Sequence, residues 1–399
     1  MQYILFHKND KVANVEFTDN GIYKQLNGYY NQELMPPGTR VHDAIVHDKF
    51  EAWLKHRFLS QKRTNRTKIM VLADCINIEQ LVNYCYGLSI NDCYWFKPVY
   101  LKDMKPFWEN INFFRNGFSD DASNILIFDK KINDVNLVSP NLTTSGECDK
   151  FWKIENDNFY LYKIGRSEFN YIDSLNEYLS SKLANILGLN NAGYSIDKLD
   201  DGRIYSKSKC FTDEDTEFFN FAALSVENKT IGKNGVLRFI KENNMQKDLD
   251  KLLIHDYILS VVNRDFSNIG FLRDSNTLEI KGLAPVFSGG CSLWYDYKES
   301  GIGKIDEART FDSSHEHQIK LVKDFDGIDI YGLSTFIFEL RRAYEHFDGI
   351  DKVIANKIVD EVSKRIEDIQ KMAGIFKKEE KPKNSFGLNT SSSFNKFGM

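Results

Sequence analysis

Hydrophobic positions recur in strand-like fashion from the first residues of the chain. Tyr3 and Leu5, then Val12, Val15 and Phe17, are set off by the turn-formers Asn9-Asp10 and Asp19-Asn20-Gly21, and Met35-Pro36-Pro37-Gly38 closes this opening sheet. From about Asp43 to Leu59 the period lengthens: Ile45, Phe50, Trp53, Leu54 and Phe58 fall at helical spacing, and a second helix is predicted over 78–87. Residues 1–135 therefore read as a small α+β domain.

The pattern then changes. Phe151 to Ile154 and Phe159 to Ile164 flank the turn Glu155-Asn156-Asp157-Asn158, which predicts a hairpin. Ser174 to Leu187 predicts an amphipathic helix with Leu175, Tyr178, Leu179, Leu183 and Ile186 on one face and Gly188 as its stop. A further strand pair is expected around 193–209, turning at Asp200-Asp201-Gly202. Beyond it the chain reads as mostly helical, with helices over 252–262, 334–346 and 352–373 and a strand hairpin over 270–287. These blocks divide into a sheet-containing lobe over 136–212, a helical lobe over 213–376 and a charged, then Ser/Asn/Gly-rich tail over 377–399 whose composition predicts disorder. The fold class expected is α+β: a bilobal kinase-like arrangement of a sheet-containing N-lobe and a helical C-lobe, with an added N-terminal α+β domain.

Composition narrows the function classes. With 42% hydrophobic and 14% aromatic residues, the 399-residue chain has ample material for a core. A net charge of −5 gives no sign of direct nucleic-acid binding. The six cysteines form no CxxC pair and no metal-ligand spacing, so they read as reduced thiols. The N-terminus lacks a signal-peptide pattern, and no apolar run reaches the length of a membrane span. A cytoplasmic protein without membrane association is expected.

Several polar features have a plain reading. Lys163 stands in an aromatic-rich strand, where an ordinary edge lysine is common. Ser174-x-x-Glu177 is a capping box that serves a helix start whatever the function. Thr143-Thr144-Ser145-Gly146 suits a polar turn. His42 and His47 do not share a helical face, Gly301-Ile302-Gly303-Lys304 lacks phosphate-loop spacing, and the basic run Lys62 to Arg66 suits a solvated face. Phe386 and Phe394 in the tail hint at a short docking motif.

Taken in order, four segments resemble the HipA-like bacterial Ser/Thr protein-kinase family: SPNLTTSGECDKFWKI (139–154), FYLYKI (159–164), SLNEYLSSKLANILGL (174–189), and HDYILSVVNRDFSNIGFLRD (255–274) with LAPVFSGGCSLW (283–294). FLSQKRTNRTKIM and YGLSINDCYWFK extend the likeness to the N-terminal region. The resemblance implies a nucleotide-covering loop at Thr143, Thr144, Ser145 and Gly146, whose hydroxyls are autophosphorylation candidates. It also implies a phosphate-contacting Lys163, a helix Glu177 that pairs with it, and a metal-binding Asn268. ATP and Mg²⁺ are the implied cofactors. Phosphoryl transfer of this kind relies on positioning and charge neutralisation.

Where working relatives of that family carry the catalytic aspartate, this chain has Asn263; Arg264 is kept, and Asp265 stands at the histidine position. The metal-binding aspartate position is Ser288. The resemblance therefore implies a pseudokinase or very weak kinase acting as a binding or regulatory module. The alternative is an active kinase of the HipA toxin type with Asp265 as substitute base; Asp274 and Asp296 are further candidate metal ligands. The implied partner is a protein or an antitoxin-like regulator.

Overall fold

The opening strand-like segments form β1 (Gln2–His7), β2 (Asp10–Phe17) and β3 (Tyr23–Tyr29), which join β4 (Tyr94–Pro98) in an antiparallel sheet of order β3-β2-β1-β4. The computed structural model describes residues 1–41, 44–57, 63, 66–100, 106–144, 146–224, 232–296 and 298–374. His42, Ser145, most of the 62–66 basic run and the tail with Phe386 and Phe394 lie outside the described residues. Successive side chains point to opposite faces of a strand, and both faces of this sheet are covered. Tyr3 and Leu5 enter the main core with Phe50, Trp53 and Leu54 of α1 (His47–Arg57). Phe6 and Trp95 stack at 4.6 Å between centroids on a second cluster with Trp108 and Phe113.

The predicted hairpin is β5 (Lys150–Glu155) and β6 (Asn158–Ile164), and the strand pair after it is β7 (Tyr194–Lys198) and β8 (Ile204–Lys209). They form a second antiparallel sheet of order β5-β6-β8-β7. Between them α2 (Ile172–Ile186) crosses over and packs on β7 and β8, burying Leu175, Leu179 and Leu183. A third sheet joins β9 (Thr216–Asn220), β10 (Gly270–Asp274) and β11 (Ile280–Leu283). The sequence reading did not anticipate β9, because Phe218 and Phe219 are both buried and leave no alternation to read.

Helix α3 (Gln246–Leu259) begins ahead of the predicted Leu252, since Leu249 is already fully buried. It packs against α2 and α5 (Lys352–Met372), while α4 (Leu333–Glu345) packs against α2 and α5 as well. Leu54, Leu142, Leu179, Phe271 and Leu340 belong to one continuous hydrophobic cluster, so the core runs unbroken from the N-terminal sheet to the helical end.

Two sets of polar bonds tie the N-terminal region to the rest of the chain. Glu217 of β9, fully buried, lies 3.0 Å from His7 Nε2 and accepts from Cys93 N at 2.9 Å and Arg273 Nη2 at 2.6 Å. At the other end, Thr143 Oγ1 donates to Leu88 O at 2.8 Å. Arg63 donates to Thr144 O at 2.8 Å and to Lys150 O at 2.9 Å.

Candidate functional site

Strand β6 delivers Lys163 to the gap between the second sheet, α2 and the 263–268 loop. Register fixes its neighbours: Lys150 of β5 and Ser206 of β8 lie directly opposite Lys163 on either side. Directly opposed residues share a face, so Lys150, Lys163 and Ser206 form one row across the sheet. The cleft in front of this row is lined by Lys163, Glu177, Ser206, Asn263 and Cys291 among others.

Lys163 forms an ion pair with Glu177 of α2, and Gly289 N donates to the second carboxylate oxygen at 2.8 Å. Burial alone would push the Lys163 ammonium toward neutrality, but Glu177 beside it more than reverses this and holds its pKa above the usual lysine value. The capping box does not form. The helix begins at Ile172 and Ser174 Oγ donates to Ile204 O at 3.4 Å, which leaves the Glu177 carboxylate for Lys163. Gly289 and Gly290 let this segment close on α2: a Cβ on Gly289 would lie 2.2 Å from Ser180 Oγ, and one on Gly290 would lie 2.9 Å from Asp173 O.

The 263–268 loop is anchored from behind. Arg264 is almost wholly buried, donates to Asp256 at 3.0 Å and to Asn268 O at 3.1 Å, and bonds Phe287 O as well. Asp256 lies 2.8 Å from His255 Nδ1, and His255 Nε2 lies 3.0 Å from Ser180 Oγ. A buried polar chain thus runs from α2 through α3 to the loop. Burial opposes the Asp256 charge, but Arg264 and His255 outweigh it and lower its pKa.

The structure brings some of the singled-out residues to the cavity and sets others apart. Asn263 lines it, with Oδ1 buried and without a hydrogen-bond partner among the described residues. Asn268 Nδ2 donates to Asn263 O at 2.8 Å. Asp265 is exposed; its carboxylate accepts from Ser267 N at 2.8 Å and from the Ser267 hydroxyl. Ser288 has a left-handed backbone, φ 56°, and its N–H donates to Tyr194 Oη at 3.4 Å. Thr143 is held by Leu88 O, while Thr144 donates to Pro140 O at 2.6 Å and accepts from Trp152 Nε1 at 2.9 Å. Gly146 adopts φ 99° beside Lys150. Asp274 accepts from Asn276 N at 2.9 Å and pairs with Lys281, and Asp296 is exposed.

Three residues that the sequence reading passed over line the cavity, and Lys150 stands beside them in the sheet. Ser206 is fully buried, with Oγ unpartnered among the described residues. Arg166 and Asp173 line the cavity as a pair, Nε to Oδ2 at 3.0 Å; burial raises the Asp173 pKa against the pull of Arg166. Lys150 was legible through the hairpin itself. With Glu155 opposite Asn158, counting back along β5 and forward along β6 brings Lys150 against Lys163.

The donor set suits a nucleotide's phosphates better than a divalent cation. The lysine row and the unpartnered Ser206 hydroxyl offer charge and a donor to phosphate oxygens. Mg²⁺ is ordinarily held through one or two carboxylates besides phosphate oxygens. Of the acids lining the cavity, Asp173 is engaged with Arg166, and Glu177 with Lys163 and Gly289 N. Among the described residues, no group of three or more His, Cys, Asp or Glu side chains could hold a metal. The residues present do not fit a divalent ion.

No family model matches the sequence, and no curated protein matches it. Among solved structures, the HipA of the Shewanella oneidensis MR-1 toxin–antitoxin system, determined with HipB and its operator DNA, is similar with TM-score 0.51 at 11% identity, over 92% of this chain and 97% of that one. The Helicobacter pylori proinflammatory kinase CtkA is similar with TM-score 0.43 at 17% identity, over 57% of this chain and 96% of that one. The HipA likeness spans nearly the whole chain and shows the kinase-like HipA fold, an α+β architecture. Among the described residues no helix is long and apolar enough to cross a membrane.

Proposed function

We propose that this chain is a kinase-fold protein that binds a nucleotide in the Lys163 cleft and transfers no phosphoryl group at a significant rate, serving as a binding or regulatory module for a protein partner. The observation that carries this reading is the pairing of an intact Lys163–Glu177 contact with two amide and hydroxyl side chains, Asn263 and Ser288, where the chemistry needs carboxylates. Lys163 and the Ser206 hydroxyl would hold phosphate oxygens. Bound ATP would supply a transferable phosphoryl group, but Asn263 cannot take the proton of an acceptor hydroxyl. The loss of such a base commonly costs about 10²–10⁴-fold in rate. Asp265 supplies no ready replacement, because its carboxylate is bonded within its own turn by Ser267. A protein partner is in keeping with the HipA neighbour, which is found with HipB.

Phosphate transfer from labelled ATP to the protein itself and to a general Ser/Thr acceptor tests the reading. The full chain is expected to show none above background, and the double change Asn263→Asp with Ser288→Asp is expected to raise it measurably. The left-handed backbone at Ser288 suits aspartate, which visits that region more readily than most residues. Robust transfer by the unaltered protein that Asp265→Asn abolishes would establish the active-kinase reading instead.

A further inference from the structure

We propose that Cys148 and Cys291 form an oxidation site in the cleft, joined as a disulfide when a peroxide reaches them, and that the bridge shuts the cleft against its ligand. The bridge stands apart from the nucleotide reading above, while its effect on binding rests on that reading.

Both thiols are free, both are half-buried, and both line the same cavity from different walls. Cys148 lies just ahead of β5. The pairing of Lys150 with Lys163 continues past the strand, where Ile164 N donates to Asp149 O at 2.9 Å, and this holds Cys148 near the end of β6. Cys291 belongs to the wall made by α2 and the 263–268 loop. Its carbonyl accepts from Val262 N at 3.0 Å, and Asn176 Nδ2 of α2 donates to the carbonyls on either side of it, Gly290 at 3.3 Å and Ser292 at 2.7 Å. The backbone there is fixed, and Arg166 Nη2 lies 3.5 Å from Cys291 Sγ. The other four cysteines have no such setting: Cys85 and Cys93 are buried, and Cys75 and Cys210 do not line the cavity.

The surroundings assign the two sulfurs different parts. Burial raises the Cys291 pKa, Arg166 and Lys163 act against it, and a charge on Cys148 raises it further. The sulfurs are therefore within electrostatic reach of each other, and Cys291 is held as the thiol. A Cys148 thiolate attacks one oxygen of hydrogen peroxide, the O–O bond breaks, and the departing hydroxide takes up a proton to become water. Cys291 then attacks the sulfenic sulfur of Cys148: the S–S bond forms, the S–O bond breaks, and hydroxide leaves with the Cys291 proton as a second water. Two thiols are oxidised and one peroxide is reduced. Arg166, between the rings of Phe169 and Tyr295 at 4.6 and 4.9 Å from their centroids, keeps its charge beside Cys291 as that sulfur gains thiolate character. A bridge between the walls would take up the space in front of Lys163 and the unpartnered Ser206 hydroxyl.

The test treats the full chain with hydrogen peroxide and maps its peptides by mass spectrometry without reductant. The expected product is a monomer with the Cys148 and Cys291 peptides joined, reversed by dithiothreitol and abolished by Cys148→Ser or Cys291→Ser. In Cys291→Ser, sulfenic acid at Cys148 is expected to be trapped by dimedone. The thermal shift given by ATP is expected to be lost in the bridged protein and to return on reduction, whereas peroxide is expected to leave the shift of Cys148→Ser where it was before treatment. Oxidation confined to Cys75 and Cys210, or bridges only to them or to a second chain, overturns the inference. A bridged protein with an undiminished ATP shift overturns the closure of the cleft. A bridge in a protein that shows no ATP shift even when reduced supports the oxidation site and counts against the nucleotide reading alone. Should either serine variant fail to fold, peptide mapping of the parent protein and the corresponding alanine variant decide the matter.

Discussion

At the scale of single residues, the Lys163–Glu177 pair is the best-buried charge in the cleft, with side-chain exposures of 16% and 2%. Removing one member of such a pair strands the other, at a cost of about 3–5 kcal/mol. Lys163→Met is therefore expected to lower stability by about that amount in urea denaturation. The double change Lys163→Met with Glu177→Gln is expected to recover part of it, because no unpaired charge remains. A purely additive result would contradict a direct pairing. Both residues were legible as motif positions, although the same letters also spelled a capping box, and only the start of α2 at Ile172 decides between them. Lys150 was legible in the hairpin register. The orientation of Asp265 was not, because it is set by a two-residue turn bond to Ser267 that spacing cannot reveal. The Arg166–Asp173 pair was equally hidden, since it depends on how the chain bends after β6.

At the scale of elements, α2 acts as the reference surface for the site. It presents Glu177 to β6 and Ser180 to both the 289–290 segment and His255 of α3. Gly289→Ala would press a methyl group to within 2.3 Å of Ser180 Cβ, a contact that rotating the hydroxyl cannot relieve. Overpacking of this kind costs about 1–3 kcal/mol. Adding Ser180→Gly to Gly289→Ala is expected to restore part of that loss even though glycine alone weakens a helix. Denaturant midpoints of the four proteins in the cycle measure the coupling. Sequence periodicity located the β5–β6 hairpin and also α2, whose apolar stripe stands out although the helix is buried on most sides. It failed at β9, which buries adjacent phenylalanines and shows no period.

At the scale of the whole molecule, the contact between the N-terminal sheet and the third sheet centres on Glu217. Burial would raise its pKa, but His7, Arg273 and the Cys93 N–H outweigh this and lower it to about 2. A depressed carboxylate contributes stability above its unfolded value, and that contribution is lost as pH falls through the folded one. Acid unfolding is accordingly expected to steepen between about pH 4.5 and 2. Glu217→Gln is expected to be less stable near neutrality and to flatten that part of the curve, as followed by fluorescence against pH. The N-terminal region thus holds the second sheet as well as the third, through Leu88 and Arg63 on the 143–150 segment and through His7 and Cys93 on Glu217. Spreading the second and third sheets apart means breaking buried bonds at one clamp or the other. Those buried bonds brace the two walls of the cleft at a fixed spacing, so a change in that spacing is resisted from outside the cleft itself.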